Sequence, residues 1–136
     1  MGQKKVKITA DANVLIRAAV QDEPHQARKA ARVLQEAELV AVPVTVLCEF
    51  VWILCRGYKK SATEISEAIH RLTKSVNVVV NRPAVEAGLA VLEDGGDFAD
   101  GVIAHEGNWL GAEEFVSFDA KAVALLQSQD VHARLL

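Results

Sequence analysis

Val6-Lys7-Ile8-Thr9-Ala10-Asp11-Ala12-Asn13-Val14-Leu15-Ile16 passes from a β-like run into a helical one within a few residues. Val6 to Ala10 reads as a short strand, and Asn13 to Val20 as a helix. The same succession repeats along the chain. Pro24 stands where a helix can begin, and Ala27, Ala30, Ala31, Val33 and Leu34 carry that helix to about Glu38. Leu39 to Val42 is a second strand, stopped by Pro43. The stretch from Thr45 to Arg56 is apolar on nearly every face and predicts a buried helix ended by Gly57. Ser61-Ala62-Thr63-Glu64 is a capping box opening a helix through Thr73. Val76 to Val80 is a third strand. Arg82 to Glu93 is helical until Gly95-Gly96 breaks it. Asp97 to Asn108 is helical, Phe115 to Phe118 a fourth strand, Ala120 to Gln127 a last helix, and Val131 to Leu135 a short edge strand. Strands separated by helices require parallel crossovers, hence an α/β fold with a sheet covered on both faces.

At 136 residues, residues 1–136 read as one domain with a core that needs no disulfide. The longest apolar run, Phe50 to Cys55, falls far short of the ~20 residues that span a bilayer. Met1-Gly2-Gln3-Lys4-Lys5 is basic but no apolar stretch follows, so no secretion signal is read and a cytoplasmic protein is expected. A formal charge of −3 excludes a plain basic nucleic-acid binder, although acids gathered around cations still allow work on nucleic acid. Cys48 and Cys55 lie about two helical turns apart, too far for a disulfide, in no zinc-like grouping, and read as small buried hydrophobes.

In parallel α/β sheets ligands bind beyond the carboxyl ends of the strands. Asp11 follows the first strand and Asp119 the fourth; Asp97 and Asp100 share the first turn of one helix. Each has a plain alternative role as a helix cap. Glu49, among Val46, Leu47, Phe50, Val51, Ile53 and Leu54, has as its alternative a salt bridge to an arginine or lysine. Taken together, these carboxylates are expected to converge. Two charges ~5 Å apart at an effective dielectric of ~20 repel by about 3 kcal/mol, so such a cluster requires raised pKa values or divalent cations. Oxygen-only donors favour Mg²⁺ or Mn²⁺.

Asp11-Ala12-Asn13-Val14-Leu15-Ile16-Arg17, Glu49 in its apolar helix, Asp97-Phe98-Ala99-Asp100-Gly101-Val102-Ile103-Ala104 and Ser117-Phe118-Asp119 resemble, in order and over nearly the whole chain, the PIN domain, and most of all the VapC toxins of bacterial toxin–antitoxin pairs. The resemblance implies a three-layer α/β/α sandwich with a mainly parallel central sheet, and a Mg²⁺- or Mn²⁺-dependent ribonuclease. By that resemblance Asp11, Glu49, Asp100 and Asp119 are the metal-binding, catalytic quartet, and Asp97, Asn13 and Ser117 support it. Threonine is commoner than Ser117 in the family. Alanine is commoner than Gly101, whose presence is expected to loosen that helix start. The resemblance further implies RNA as substrate, a homodimer, and a cognate VapB-like antitoxin whose C-terminal segment blocks the acidic pocket.

Arg17, Arg56, Lys59 and Lys60 are candidate RNA contacts, with a solvated loop and a surface salt bridge as the alternative. His25, His70, His105 and His132 are scattered and read as surface or packing residues. Trp52 and Trp109 read as core, or else as part of a dimer or partner surface. Two other functions compete with the nuclease. A catalytically inactive PIN-like module that binds RNA or protein would have no reason to retain four mutually repelling acids. A phosphoacceptor signalling domain would want an acidic neighbour to Asp11 and a late strand-end lysine, whereas Lys121 falls inside a helix.

Overall fold

A computed structural model describes residues 5–136; the first four residues of the basic amino-terminal run lie outside the described residues. The chain divides into two compact units, one ending at Val80 and the other spanning Asn81–Leu136.

The first unit runs β1 (Lys7–Thr9), α1 (Ala12–Val20), α2 (Pro24–Glu36), β2 (Leu39–Ala41), α3 (Val44–Trp52), α4 (Ala62–Lys74) and β3 (Val78–Val79). Its three strands form one parallel sheet in chain order, with Ile8 opposite Val40 and Val40 opposite Val78. Val40, at the centre of the middle strand, is fully buried together with Leu47 and Ile69. Covering the middle strand from both sides requires apolar residues on it, as the parallel reading demands.

Local chemistry sets the helix ends. Glu23 caps α2 by accepting from the backbone N–H groups of His25 and Gln26, with Pro24 in the first turn where its missing N–H costs nothing. Ser61 and Glu64 form the anticipated capping box: the Ser61 hydroxyl accepts from Glu64 N–H at 3.1 Å, and the Glu64 carboxylate accepts from Ser61 N–H at 3.0 Å. The bond from Ser61 N–H holds the Glu64 carboxyl below the usual carboxylate range, helped by the Ser61 hydroxyl and the Lys60 charge.

Three expectations need correction here. The third strand is shorter than anticipated, because Val76 stands fully in solvent and only Val78–Val79 pair. The helix anticipated to Arg56 is α-helical only to Trp52 and continues as a π turn over Ile53–Gly57. Nor is that helix buried all round. Leu47, Phe50, Val51 and Leu54 face the core, whereas Thr45, Glu49, Trp52 and Arg56 are exposed. Cys55 is exposed as well and Cys48 half-buried, so the buried-hydrophobe reading of the cysteines fails.

The second unit runs α5 (Arg82–Glu93), α6 (Phe98–Trp109), β4 (Phe115–Ser117), α7 (Ala120–Ser128) and β5 (Ala133–Leu135). β4 and β5 pair in parallel, with Val116 opposite Arg134, so the anticipated edge strand exists as the partner of the fourth strand. Gly95, at φ +92°, makes the break between α5 and α6. The two helices then pack back to back. Phe98 is fully buried over Gly88, where an added Cβ would stand 2.6 Å from the ring. A Cβ at Gly101 would overlap the Ala87 carbonyl and crowd the Gly88 Cα, all backbone atoms. Gly101 therefore does not loosen the start of α6; it lets α6 approach α5. Trp109 is 82% exposed and Trp52 61%, which removes both from the core. The molecule is thus a mixed α/β protein with seven α-helices and parallel strand pairing among the described residues, consistent with the PIN-like α/β/α class.

Candidate acidic site

Every acid predicted at a strand end is a helix cap in the structure. β1 ends at Thr9, and Asp11, in extended backbone, caps α1 by accepting from Ala12 N–H at 2.7 Å. Asp97 caps α6 by accepting from Ala99 N–H at 3.1 Å. Asp119 caps α7 by accepting from Ala122 N–H at 3.1 Å. Its own N–H donates to the Ser117 hydroxyl at 3.0 Å, so Ser117 fixes the turn that carries Asp119, as a supporting residue would. The cap role does not exhaust these side chains. A carboxylate has about four lone-pair sites, and one backbone N–H occupies one of them. The positive end of a helix dipole also favours keeping the group ionised.

In the first unit Asp11, Asn13 and Glu49 are all exposed. Glu49 stands on the solvent side of α3, the helix that follows β2, and no desolvation penalty argues for a metal there. In the second unit Asp100 occupies the first turn of α6 and is half-buried. Burial pushes its carboxyl above the usual range, and the charges of Asp97 and Asp119 push it further in the same direction. Among the described residues none of Asp11, Glu49, Asp97, Asp100 and Asp119 stands in an ion pair. Asp97 and Asp119 are thus in electrostatic reach of Asp100, and among the described residues none of the three is answered by an ion pair. Among the described residues, no group of three or more His, Cys, Asp or Glu side chains is poised to hold a metal ion. The two findings agree, because repulsion reaches across ~8–10 Å while a ligand oxygen must come within ~2.6 Å. In donor chemistry the set fits a hard divalent cation: oxygens only, negative, and half-buried at Asp100.

The cations divide by role. Arg17 is held in a network: its guanidinium donates to Gln26 at 2.7 Å, to Asp22 at 3.2 Å and to Tyr58 at 3.3 Å, and the Tyr58 hydroxyl donates to Asp22 at 3.0 Å. It ties α1 to the start of α2 and to the loop after the π turn, a structural task that the sequence offered only as the alternative. Tyr58 had no signal in the sequence, since its partners lie 36 and 41 positions away. Arg56 and Lys59 are exposed and, among the described residues, stand in no ion pair. Lys60 is half-buried beside a cleft of about 410 Å³ lined by Leu15, Phe50, Leu54, Glu64 and Arg71 among others. His25, His70 and His132 are exposed and His105 half-buried, in line with surface and packing roles.

The PIN domain family model matches residues 8–125. This chain belongs to the PIN domain family. The matched segment runs from β1 into α7 and contains every acid named above. PIN domains are generally metal-dependent nucleases. No curated protein matches the sequence. Among the described residues, no helix of this PIN domain is long and apolar enough to cross a membrane.

Proposed function

We propose that this PIN domain is a Mg²⁺- or Mn²⁺-dependent endoribonuclease acting as the cytoplasmic toxin of a toxin–antitoxin pair. The observation that carries the reading is half-buried Asp100 lying within reach of the Asp97 and Asp119 charges, with none of the three in an ion pair among the described residues. An uncompensated cluster of that kind is costly unless it serves to hold a cation or a proton. Its sequence resemblance to the VapC toxins supports the finer assignment of Asp11, Glu49, Asp100 and Asp119 as the ligand set.

A hard divalent ion, when bound, supplies an acidified water and neutralises charge on the phosphodiester. The chain's own residues do the rest. Asp11, Asp97 and Asp119 are fixed at helix starts by their own cap bonds, so their carboxylates are pre-oriented before any ligand arrives. Burial and the charges of Asp97 and Asp119 raise the Asp100 carboxyl above its ordinary range, so a bound cation would relieve the repulsion it bears. Ser117 keeps the Asp119 turn rigid. The acidic pI of about 5.8 accords with catalysis that borrows its positive charge from cations. We further propose a homodimer and a VapB-like antitoxin as partners. The cleft beside α4, with Leu15, Phe50 and Leu54 at its base and Lys60, Glu64, Glu67 and Arg71 around it, supports the second by offering a mixed apolar and charged receptor for an amphipathic helix.

The test is cleavage of single-stranded RNA by the purified protein with Mg²⁺ or Mn²⁺, with chelator, and as the Asp11→Ala and Asp100→Asn variants. Cleavage lost in chelator and reduced at least ~100-fold in both variants supports the nuclease. RNA binding without metal-dependent cleavage assigns the chain to the inactive binding module, and cleavage unchanged in the variants assigns the activity to a contaminant.

A further inference from the structure

α3 presents one face to solvent that the cleavage chemistry above uses only at Glu49. Thr45, Glu49, Trp52 and Arg56 are all exposed, and their spacings of four, three and four keep them on one side of the helix. Leu47, Phe50, Val51 and Leu54 take the buried side. Trp52 is 61% exposed, one turn beyond Glu49. The π turn at Ile53–Gly57 follows at once and carries Arg56, and the loop beyond it carries Lys59 in a left-handed backbone. π-helical turns within helices recur at functional sites. An exposed indole is thus followed within about one turn by Arg56 and in the next loop by Lys59, both exposed and without an ion-pair partner among the described residues.

We propose that Trp52 is a stacking platform for a base of single-stranded RNA, with Arg56 and Lys59 holding the adjoining phosphates. The inference rests on the nuclease reading and deepens it, by making unpaired RNA rather than duplex the substrate. An indole offers a π-face to any base, and base–aromatic stacking is indifferent to sequence. In a duplex that face of the base is already covered by its neighbours. Charge complementarity selects nucleic acid over a second copy of the chain: an apolar protein contact over Trp52 would bury Arg56 and Lys59 without counter-charges, whereas a sugar–phosphate strand brings one counter-charge per nucleotide.

The test uses the Trp109→Phe protein, in which Trp52 is the sole tryptophan. Its fluorescence is followed during titration with a short 2′-O-methylated oligouridine, single-stranded or annealed to its complement. In parallel, the affinity of a dye-labelled copy of the strand is measured by polarisation on the otherwise unaltered chain and on Trp52→Ala and Trp52→Phe. Saturable quenching by the single strand and not the duplex is expected. Affinity should fall about 10-fold in Trp52→Ala and return largely in Trp52→Phe. In cleavage, Trp52→Ala should raise KM and leave kcat within about 3-fold, since stacking away from the reacting bond contributes uniform binding. Absent quenching, equal response to duplex, or unchanged affinity in Trp52→Ala overturns the platform. A Trp52→Ala protein that loses a dimer by light scattering while binding RNA normally gives the face to a second copy and also overturns it. Quenching and weakened binding without any metal-dependent cleavage leave the platform standing and bring down the nuclease reading instead.

Discussion

Replacing Gly101 by alanine tests the packing that positions the acids of α6. In an exposed helix this exchange would stabilise by about 1 kcal/mol, because alanine is the better helix former. In this protein the new methyl group would meet the Ala87 carbonyl oxygen and carbon and the Gly88 Cα, all inside the ~3.5 Å at which carbon contacts become favourable. Those atoms are backbone and have no rotamer to change, so relief requires α6 to move away from α5 and loosen the burial of Phe98, Val102 and Leu89. Overpacking costs about 1–3 kcal/mol, and the immovable partner places this site at the upper end. Set against the propensity gain, the net loss is about 2 kcal/mol. With an unfolding entropy of ~2.1 cal/mol/K for each of 136 residues, that lowers Tm by roughly 7 °C. Because Asp97 and Asp100 sit in the same turn as the clash, nuclease activity at a temperature where the variant is still folded should fall as well. Calorimetry and a cleavage assay on Gly101→Ala decide the matter, with Gly88→Ala as a companion whose clash is with a side chain, the buried Phe98 ring, rather than with backbone. A Gly101→Ala protein that melts at or above the temperature of the unaltered chain would refute the close approach of α5 and α6.

Three further outcomes are expected. Asp100→Asn should raise Tm at neutral pH without metal, since the folded state raises this carboxyl's pKa and its ionised form therefore opposes folding. The native state binds that proton more tightly than the unfolded chain, so the variant's advantage shrinks as pH falls through the raised folded value toward the ordinary one. Melting curves across that window read it, and an advantage that grows in acid would contradict the crowding. Ser61→Ala should cost about 1 kcal/mol at neutral pH through loss of the α4 cap. Because the folded Glu64 carboxyl lies below its unfolded value, its share of stability is present above the unfolded value and lost as pH falls through the folded one. Alanine keeps the N–H bond to Glu64 and loses only the hydroxyl's part of that share, so the gap between Ser61→Ala and the unaltered chain should narrow slightly in acid, which denaturant titrations at several pH values will show. Finally, Arg56→Ala and Lys59→Ala should each flatten the slope of log affinity for single-stranded RNA against log salt by about 0.7. Arg17→Ala should instead lower Tm through its lost network and keep the slope, and a slope change in Arg17→Ala alone would reverse the assignment of roles.

Much of the fold was legible because its signals are local. Pro24, the Ser61–Glu64 box and Gly95-Gly96 each act within one turn of chain, and the helices begin and end close to where they say. The strands were harder to bound, since pairing rather than propensity decides how far a strand extends, and Val76 had no partner to reach. The acids divide in the same way. Asp11, Asp97 and Asp119 were recognisable at strand ends and helix starts, where the structure keeps them as caps. The exposure of Glu49 is not plainly legible in the sequence, because a helix apolar on most positions gives no sharp face. The spacing of Thr45, Glu49 and Arg56 was the available clue to the solvent side.

By itself the sequence determined the alternation of strand and helix, the parallel class that follows from it, and the identity and order of the carboxylates, because all of these depend on residue type and on neighbours a few positions away. Only the tertiary structure decided which carboxylates crowd one another, that Gly101 is a contact point rather than a weakness, that Arg17 is occupied by Asp22, Gln26 and Tyr58, and that Trp52 stands in water. Coulomb repulsion, steric overlap and burial depend on distances between atoms far apart along the chain, and those distances exist only once the helices have packed.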